Sequence, residues 1–466
     1  MTDRLTVVDE IFLRTHRGMG TPIALQGLWR IDEAMEPALL QAIHDRLRVG
    51  SLGRRVVRAR VPGARRGWRP NISAHPLDIA RRPLPEDAIL SWADTLGADL
   101  DPEFGPGWRL SSAPLHGGGT IVALTCSHAL ADARGLIHAV AVALDELDLP
   151  HPAAAAAETI ATGPASTAHS PTTATAGARE AGSAADRMDP AVHDAALAPT
   201  AQNTSTAISR SETGGLTSRS DWADALTQWS IILGGTARAL RHGVPRRPAT
   251  TVPGSAADRA VHSILLTFDA IAWDSAAAAT GGTANSLFIH LVANILWESG
   301  FQLPVIEASL PVDTRDEPRV DNDLAVTDIA IDRTDTPATI RDKARIAYQR
   351  RMSSPAGLPE EILQVIPDRW AHILSKGAGE RDILCSNIGT LPESLSTVGP
   401  HHCDQVAARA IHPGLSEFPR TRLSGYLSLL ADRYTLALVS LGPDRETLIA
   451  ATDRACSAAG LHPQAW

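Results

Sequence analysis

The stretch that decides the fold reads TIVALTCSHALADARGLIHAVAVALDEL and runs from Thr120 to Leu147. Its first part, Thr120–Cys126, is a short continuous apolar run of the kind that a buried strand requires. From Arg134 onward the apolar residues recur at helical spacing, which predicts an α-helix. His128 and Asp132 lie between the two elements. Because turns at strand ends are where α/β proteins present polar side chains to a cleft, this pair is the first candidate for a functional site.

A histidine and an aspartate four residues apart support more than one interpretation, since this spacing is expected about once by chance in a chain of this composition. A neutral imidazole can accept a proton from a hydroxyl or an amine near neutral pH. Asp132 could hold the imidazole directly, or it could form an ion pair that fixes the loop. In the plainest alternative, His128 is a solvated turn residue and Asp132 starts the following helix.

The overall composition indicates a globular protein without a general attraction to nucleic acid. The chain has 466 residues, of which 44% are hydrophobic, and a formal net charge of -9. This length suits two or three domains, and the negative charge argues against a protein that binds nucleic acid or anionic membranes through its overall charge. A cluster of arginines is a local exception, either a solvated surface or a patch for a phosphate-bearing or acidic partner: Arg54, Arg55, Arg58, Arg60, Arg65, Arg66 and Arg69.

The cysteines are far apart and show no C-x-x-C spacing: Cys126, Cys385, Cys403 and Cys456. They indicate neither a zinc site nor a disulfide framework, and a reducing, cytoplasmic location is expected. The neighbouring His401 and His402 do not predict a metal site either, because adjacent side chains point in different directions. The chain shows no signal-peptide core and no run of about 18 uncharged apolar residues, so a soluble protein is expected, with peripheral membrane contact left open.

Residues 151–220 divide the chain, since 39 of these 70 residues are Ala, Thr or Ser and none is aromatic. Such a composition cannot bury enough apolar surface to offset the entropy of ordering, which predicts a flexible linker. The expected organisation is an N-terminal α/β domain over residues 1–150 and a C-terminal α/β domain over residues 221–466, which meet at a cleft. The tryptophans of the second domain fit helix packing better than a ligand site: Trp222, Trp229, Trp273 and Trp297.

Five segments in order resemble the chloramphenicol acetyltransferase-like superfamily, which includes nonribosomal peptide condensation domains, polyketide-associated acyltransferases and bacterial wax ester synthase/diacylglycerol acyltransferases. SHALADA (Ser127–Ala133) is similar to the H-H-x-x-x-D-G signature, although Ser127 replaces the first His and Ala133 the Gly. VDEIFLR (Val8–Arg14) resembles the opening segment of the superfamily. The other three segments are closest to the wax ester synthase branch: TANSLFIHLVANIL (Thr283–Leu296), LPVDTR (Leu310–Arg315) followed by Asp321–Asn322, and CSNIGTLP (Cys385–Pro392).

The resemblance implies two chloramphenicol acetyltransferase-like α/β sandwich domains in a V-shaped pseudo-dimer with an interdomain tunnel. It implies that His128 is the general base of direct acyl transfer and that Asp132 forms an ion pair with Arg315. Further candidates to contact the substrates are Ser127, Ser386, Asn387 and Gly389.

The function expected from this resemblance is O-acyl transfer from an acyl thioester, carried by coenzyme A or a carrier protein, to an acceptor alcohol. One alternative is a stand-alone amide-forming condensation enzyme that takes its acyl group from a carrier protein. The other is a non-catalytic binding relative with a degenerate motif. The thioester is a substrate, so no cofactor and no metal are expected, and the chain is expected to be a monomer that does not bind nucleic acid.

Overall fold

The computed structural model describes residues 4–16, 22–147, 218–242, 260–349, 380–403, 405–415 and 418–466. The expected linker over 151–220 therefore lies outside the described residues, except for its last three positions. The described residues belong to one unit, formed by residues 1–149 and 216–466. No helix among them is long and apolar enough to span a bilayer.

The N-terminal sheet has the predicted buried strand at its centre. Its strands, in spatial order, are β13 (Gln405–Ile411), β1 (Ala24–Ile31), β6 (Thr120–Ser127), β5 (Trp108–Pro114) and β4 (Asp78–Ile79). Every residue of β6 is buried, as its continuous apolar run predicts. The accompanying elements are the helices α1 (Val7–His16), α2 (Pro37–Val49), α3 (Ile89–Asp94) and α4 (Ala133–Asp145), and the hairpin of β2 (Arg54–Val57) and β3 (Gly67–Pro70).

The C-terminal sheet is larger and mixed. Its order is β16 (Gln464–Ala465), β7 (His262–Asp269), β15 (Arg433–Ser440), β14 (Leu423–Leu430), β10 (Ile383–Thr390), β8 (Val305–Asp313) and β9 (Leu324–Asp332). The helices of this part are α5 (Ser218–His242), α6 (Ala270–Ala279), α7 (Ala284–Glu298), α8 (Pro337–Gln349) and α9 (Arg445–Ala458), and a small hairpin joins β11 (Thr397–Val398) to β12 (His401–His402). Thr283 and Ser286 form a capping box on α7, so Thr283 is the N-cap of this helix.

One strand crosses between the two parts of the chain. β13 follows most of the C-terminal sheet in sequence, yet it pairs antiparallel with β1 in the N-terminal sheet. The buried Arg409 on β13 donates to Gln26 Oε1 at 2.7 Å and pairs with Asp94 at 2.8 Å. The expected C-terminal domain over residues 221–466 therefore contributes one strand, β13, to the N-terminal sheet.

The tryptophans of the C-terminal part are of two kinds. Trp273 and Trp297 are buried, as expected for helix packing. Trp222 and Trp229 on α5 are 59% and 46% exposed, so that expectation is wrong for these two. The sequence did not separate the cases because α5 carries apolar residues on both its inner and its outer faces.

Candidate active site

His128 lies on the turn that directly follows β6. Its backbone N–H donates to the carbonyl of Ile23 at 3.3 Å, which ties the turn to the start of β1. Its ring stacks on Phe12 of α1, with ring centroids 3.5 Å apart and an angle of 12° between the planes. The residue is partly exposed, whereas its Nδ1 is buried. The stacking and the turn together fix the plane of the imidazole.

The surroundings of His128 favour its uncharged form. Burial lowers the pKa of His128 to about 4, because an enclosed site disfavours the imidazolium. The carbonyl of the same residue and the charge of Asp132 raise the pKa but do not outweigh this effect. The imidazole is therefore neutral at physiological pH and has a lone pair with which to accept a proton.

Asp132 braces the turn and does not bond to the imidazole. Its Oδ1 accepts from the backbone N–H of Gly135 at 2.8 Å, so it caps the N-terminus of α4. Arg315 Nη2 donates to both carboxylate oxygens, at 2.7 and 2.6 Å, and Asp323 N–H donates at 3.0 Å. Of the two roles that the sequence left open for Asp132, the structure has the ion pair that fixes the loop.

Asn322 joins the loop between β8 and β9 to the histidine turn. Its Nδ2 donates to the carbonyl of His128 at 3.0 Å and to Asp9 Oδ1 at 2.8 Å. Asp9 on α1 is fully buried, and this burial raises its pKa to about 6. A single amide thus connects three separate segments around the candidate base.

A second buried ion pair supports the same turn. Arg54 at the start of β2 pairs with Asp321 at 2.5 Å and donates to the carbonyl of Leu130, also at 2.5 Å. Arg54 comes from the arginine cluster noted in the sequence, and it is buried rather than part of a surface patch. Its function in the structure is to hold the turn.

Three of the remaining candidates lie together on β10. Ser386 is partly exposed, and Asn387 donates from Nδ2 to Asn285 Oδ1 of α7 at 3.0 Å. Gly389 sits at a bulge with φ +78°, and a Cβ there would lie 2.6 Å from Arg134 Nη2. Arg134 belongs to the first turn of α4, so this end of β10 contacts the helix that Asp132 caps.

Ser127 occupies a different environment from the other substrate-binding candidates. Its side chain is fully buried, and its Oγ accepts from the backbone N–H of Ala129 at 3.4 Å. It has no exposed atom to offer a substrate. Ser127 therefore shapes the turn in this structure.

Sequence reasoning missed three residues of the site. Phe12 and Asn322 lie in segments that carry the family resemblance, but neither letter indicates a contact with His128. His412 follows β13 and donates from Nδ1 to the carbonyl of Pro22 at 3.2 Å; burial, and secondarily the nearby His128, lower its pKa to about 4. His128 and His412 thus lie on either side of the start of β1. The sequence did not predict that they are neighbours, because it did not predict that β13 pairs with β1.

The described residues include no group of three or more His, Cys, Asp or Glu side chains that could hold a metal ion. His401 contacts two carboxylates instead, with Nδ1 2.7 Å from Glu33 and Nε2 3.1 Å from Glu36. Their hydrogen bonds raise the pKa of His401. His401 therefore links β12 to the segment between β1 and α2.

Comparisons with known proteins show similarity in structure and not in sequence. No protein-family model matches the sequence, and no curated protein matches it. The first condensation domain of the CDA synthetase superposes with a TM-score of 0.54 and 14% identity, over 98% of this chain and 95% of that one. Polyketide synthase associated protein 5 from Mycobacterium tuberculosis gives 0.52 and 12% identity, over 98% and 97%.

The nonribosomal peptide synthetase FmoA3 is similar over 99% of this chain, with a TM-score of 0.53 and 15% identity. This chain spans only 44% of the length of FmoA3. The chain has the chloramphenicol acetyltransferase-like fold of condensation domains. The expected fold class, with its two α/β parts, is thereby confirmed, and the tunnel stays a prediction.

Within this condensation-domain fold, the loop between β8 and β9 reaches from the C-terminal sheet to the histidine turn of the N-terminal sheet. Arg315 and Asn322, at the two ends of that loop, hold Asp132 and the His128 carbonyl respectively. His128 therefore lies where the two α/β parts meet.

Proposed function

We propose that this protein is an acyltransferase that moves an acyl group from an acyl thioester to an acceptor hydroxyl, with His128 as general base. The observation that carries the proposal is the uncharged imidazole of a partly exposed histidine, on a braced turn at the junction of the two parts of a condensation-domain fold. An imidazole in this state needs no prior deprotonation to activate a hydroxyl.

In the proposed reaction, the acceptor oxygen forms a bond to the thioester carbonyl carbon while its proton passes to Nε2 of His128. The tetrahedral oxyanion then collapses, the C–S bond breaks, and the imidazolium returns the proton to the departing sulfur. The products are an ester and a free thiol, and no bond forms between the acyl group and the protein. Because burial lowers the pKa of His128 to about 4, its imidazolium is a stronger acid than that of an ordinary histidine, which favours the return of the proton and makes the first proton transfer the more demanding one.

Nε2 is the nitrogen assigned to this proton transfer because Nδ1 is buried. Asp132 acts only as a positioning residue, since its carboxylate is occupied by Arg315 and by two backbone N–H groups. Ser386 and Asn387 are the candidates to line the acceptor side or to stabilise the oxyanion.

A hydroxyl acceptor is favoured by the segments that resemble wax ester synthases. A second candidate function, amide formation with an acyl group delivered by a carrier protein, is favoured by the similarity to FmoA3 and to the CDA synthetase domain. The two functions share the base and differ in the nucleophile and in the carrier of the thioester.

The test is a thiol-release assay with a panel of acyl-CoA donors and a carrier protein loaded with an acyl group, each with alcohols and amines. The comparison is between the wild type, His128→Ala and the control His116→Ala, which alters an exposed histidine between β5 and β6. We expect His128→Ala to lose turnover by a factor of about 10² to 10⁴, and His116→Ala to retain it.

The outcomes separate the candidate functions. Release with alcohols supports the proposal, and release only from the loaded carrier with amines supports the condensation enzyme. Thioester binding without release, in a folded wild type, supports a non-catalytic relative. A folded His128→Ala variant with full activity would remove His128 from the mechanism.

A further inference from the structure

The outer face of α5 carries an apolar stripe that the protein itself does not cover within the described residues. Trp222, Leu226, Trp229 and Leu233 follow one another at four, three and four residues, so they form one line along the helix. Their side chains are 59%, 67%, 46% and 66% exposed. Soluble proteins seldom leave two tryptophans and two leucines contiguous and in water, because hydration of this surface is unfavourable.

The helix cannot turn to bury this stripe, because the face next to the stripe is fixed. Ala225, Gln228 and Ile232 are buried against the rest of the protein. Asp221 pairs with Arg4 at 2.5 Å, and Asp224 pairs with Arg65 at 2.7 Å. The orientation of the stripe is therefore built into the fold.

Positive charge lies beside the stripe. The indole of Trp229 rests on the turn between β2 and β3, where a Cβ on Gly63 would be 2.5 Å from its Nε1. The same hairpin exposes Arg55 and Arg60. The backbone N–H of Arg60 donates to Asp221 Oδ2 at 2.8 Å, which places Arg60 next to the residue that precedes Trp222, and the charge of Arg60 lowers the pKa of that carboxyl. The acidic residues of this stretch of α5 are Asp221 and Asp224, and both are neutralised by ion pairs.

We propose that this face of α5, with Arg55 and Arg60, is a docking surface for an anionic lipid bilayer. Indole rings and leucines suit the boundary between headgroups and acyl chains, where a helix lies parallel to the membrane. The arginines complement anionic headgroups and supply the second, electrostatic contribution that stable peripheral binding needs. A symmetric contact with a second copy of this chain is disfavoured, because it would bring the same arginines together. This inference does not depend on the proposed acyl transfer.

The test is co-sedimentation of the full-length protein with vesicles of phosphatidylcholine, with and without phosphatidylglycerol. We expect binding to the vesicles that contain phosphatidylglycerol, weakening as salt is added. Trp222→Ser combined with Leu226→Ser should reduce binding by about tenfold or more, because both apolar insertions are lost. Arg55→Glu combined with Arg60→Glu should abolish the preference for anionic vesicles.

The matched control is Ile271→Ser, which removes an apolar side chain that is 76% exposed and belongs to a different helix, α6. It should bind vesicles like the wild type, and thermal unfolding should show that all variants are folded. Absence of vesicle binding by the wild type, or unchanged binding by the stripe variant, would overturn the proposal. So would a concentration-dependent dimer that the stripe variant dissociates.

Discussion

Arg315 and Asp132 form the ion pair that holds the histidine turn, and both side chains are only 7% exposed. Arg315→Ala leaves the carboxylate of Asp132 buried without its cation, so we expect a loss of about 3–5 kcal/mol in the free energy of unfolding. Asp132→Asn should cost less, because asparagine is also a good N-cap for α4. Denaturant unfolding of both single variants and of the double variant measures the coupling. Strictly additive losses would show that the two side chains do not interact.

The lowered pKa of His128 determines the pH at which we expect activity to fall on the acid side of the profile. The proposed base must be neutral, so kcat/KM should fall only as the pH drops toward about 4, and not near 6.5 as for an ordinary histidine. Because the folded pKa lies below the unfolded one, His128 contributes stability that is present above pH 6.5 and lost as the pH falls toward about 4. Unfolding must therefore be followed at each pH beside kcat/KM. An activity limb near pH 6.5 in folded protein would show that burial does not lower the pKa of His128.

Among single elements, β10 depends on a glycine at its bulge. Gly389→Ala imposes an unfavourable φ and a contact with the Arg134 guanidinium, whereas Gly300→Ala imposes a similar φ of +96° with no atom within 4 Å of its Cβ. We expect Gly300→Ala to cost about 1–2 kcal/mol and Gly389→Ala to cost more. Adding Arg134→Ala to Gly389→Ala should remove the difference. If both substitutions lower the free energy of unfolding equally in the wild-type background, the Arg134 side chain moves aside without loss of stability.

The elements that periodicity predicted are those with strong local signals. The strand Thr120–Cys126 and the helix from Arg134 onward both appear as predicted. The partner of β13 could not be predicted, because pairing with a strand almost 400 residues away leaves no local pattern. His128 and Asp132 could be predicted as a pair because they lie on one turn. Phe12, Asn322 and His412 could not, because only the fold brings their distant segments to that turn.

For the whole molecule, the shared strand predicts that the N-terminal block does not fold alone. A fragment of residues 1–147 lacks β13, so the outer edge of β1 loses its hydrogen-bond partner, and Gln26 and Asp94 lose Arg409. Unpaired buried polar groups and an open sheet edge are both costly. We expect this fragment to aggregate or to unfold without cooperativity, as measured by circular dichroism during denaturation. A sharp, reversible transition in the fragment would show that β13 is dispensable.

The position of β13 in the chain also determines when the N-terminal sheet can be completed during translation. Ile31 ends β1, and roughly 380 further residues must be translated before Ile411 can close that edge of the sheet. At about 5–20 residues per second, the nascent N-terminal sheet waits roughly 20 to 80 seconds on the ribosome with an unpaired strand. During that interval the edge of β1 is a target for chaperones and a hazard for neighbouring nascent chains. The N-terminal sheet is thus completed only when the C-terminal part of the chain has been made. Slower translation would lengthen the time for which the edge of β1 stays unpaired.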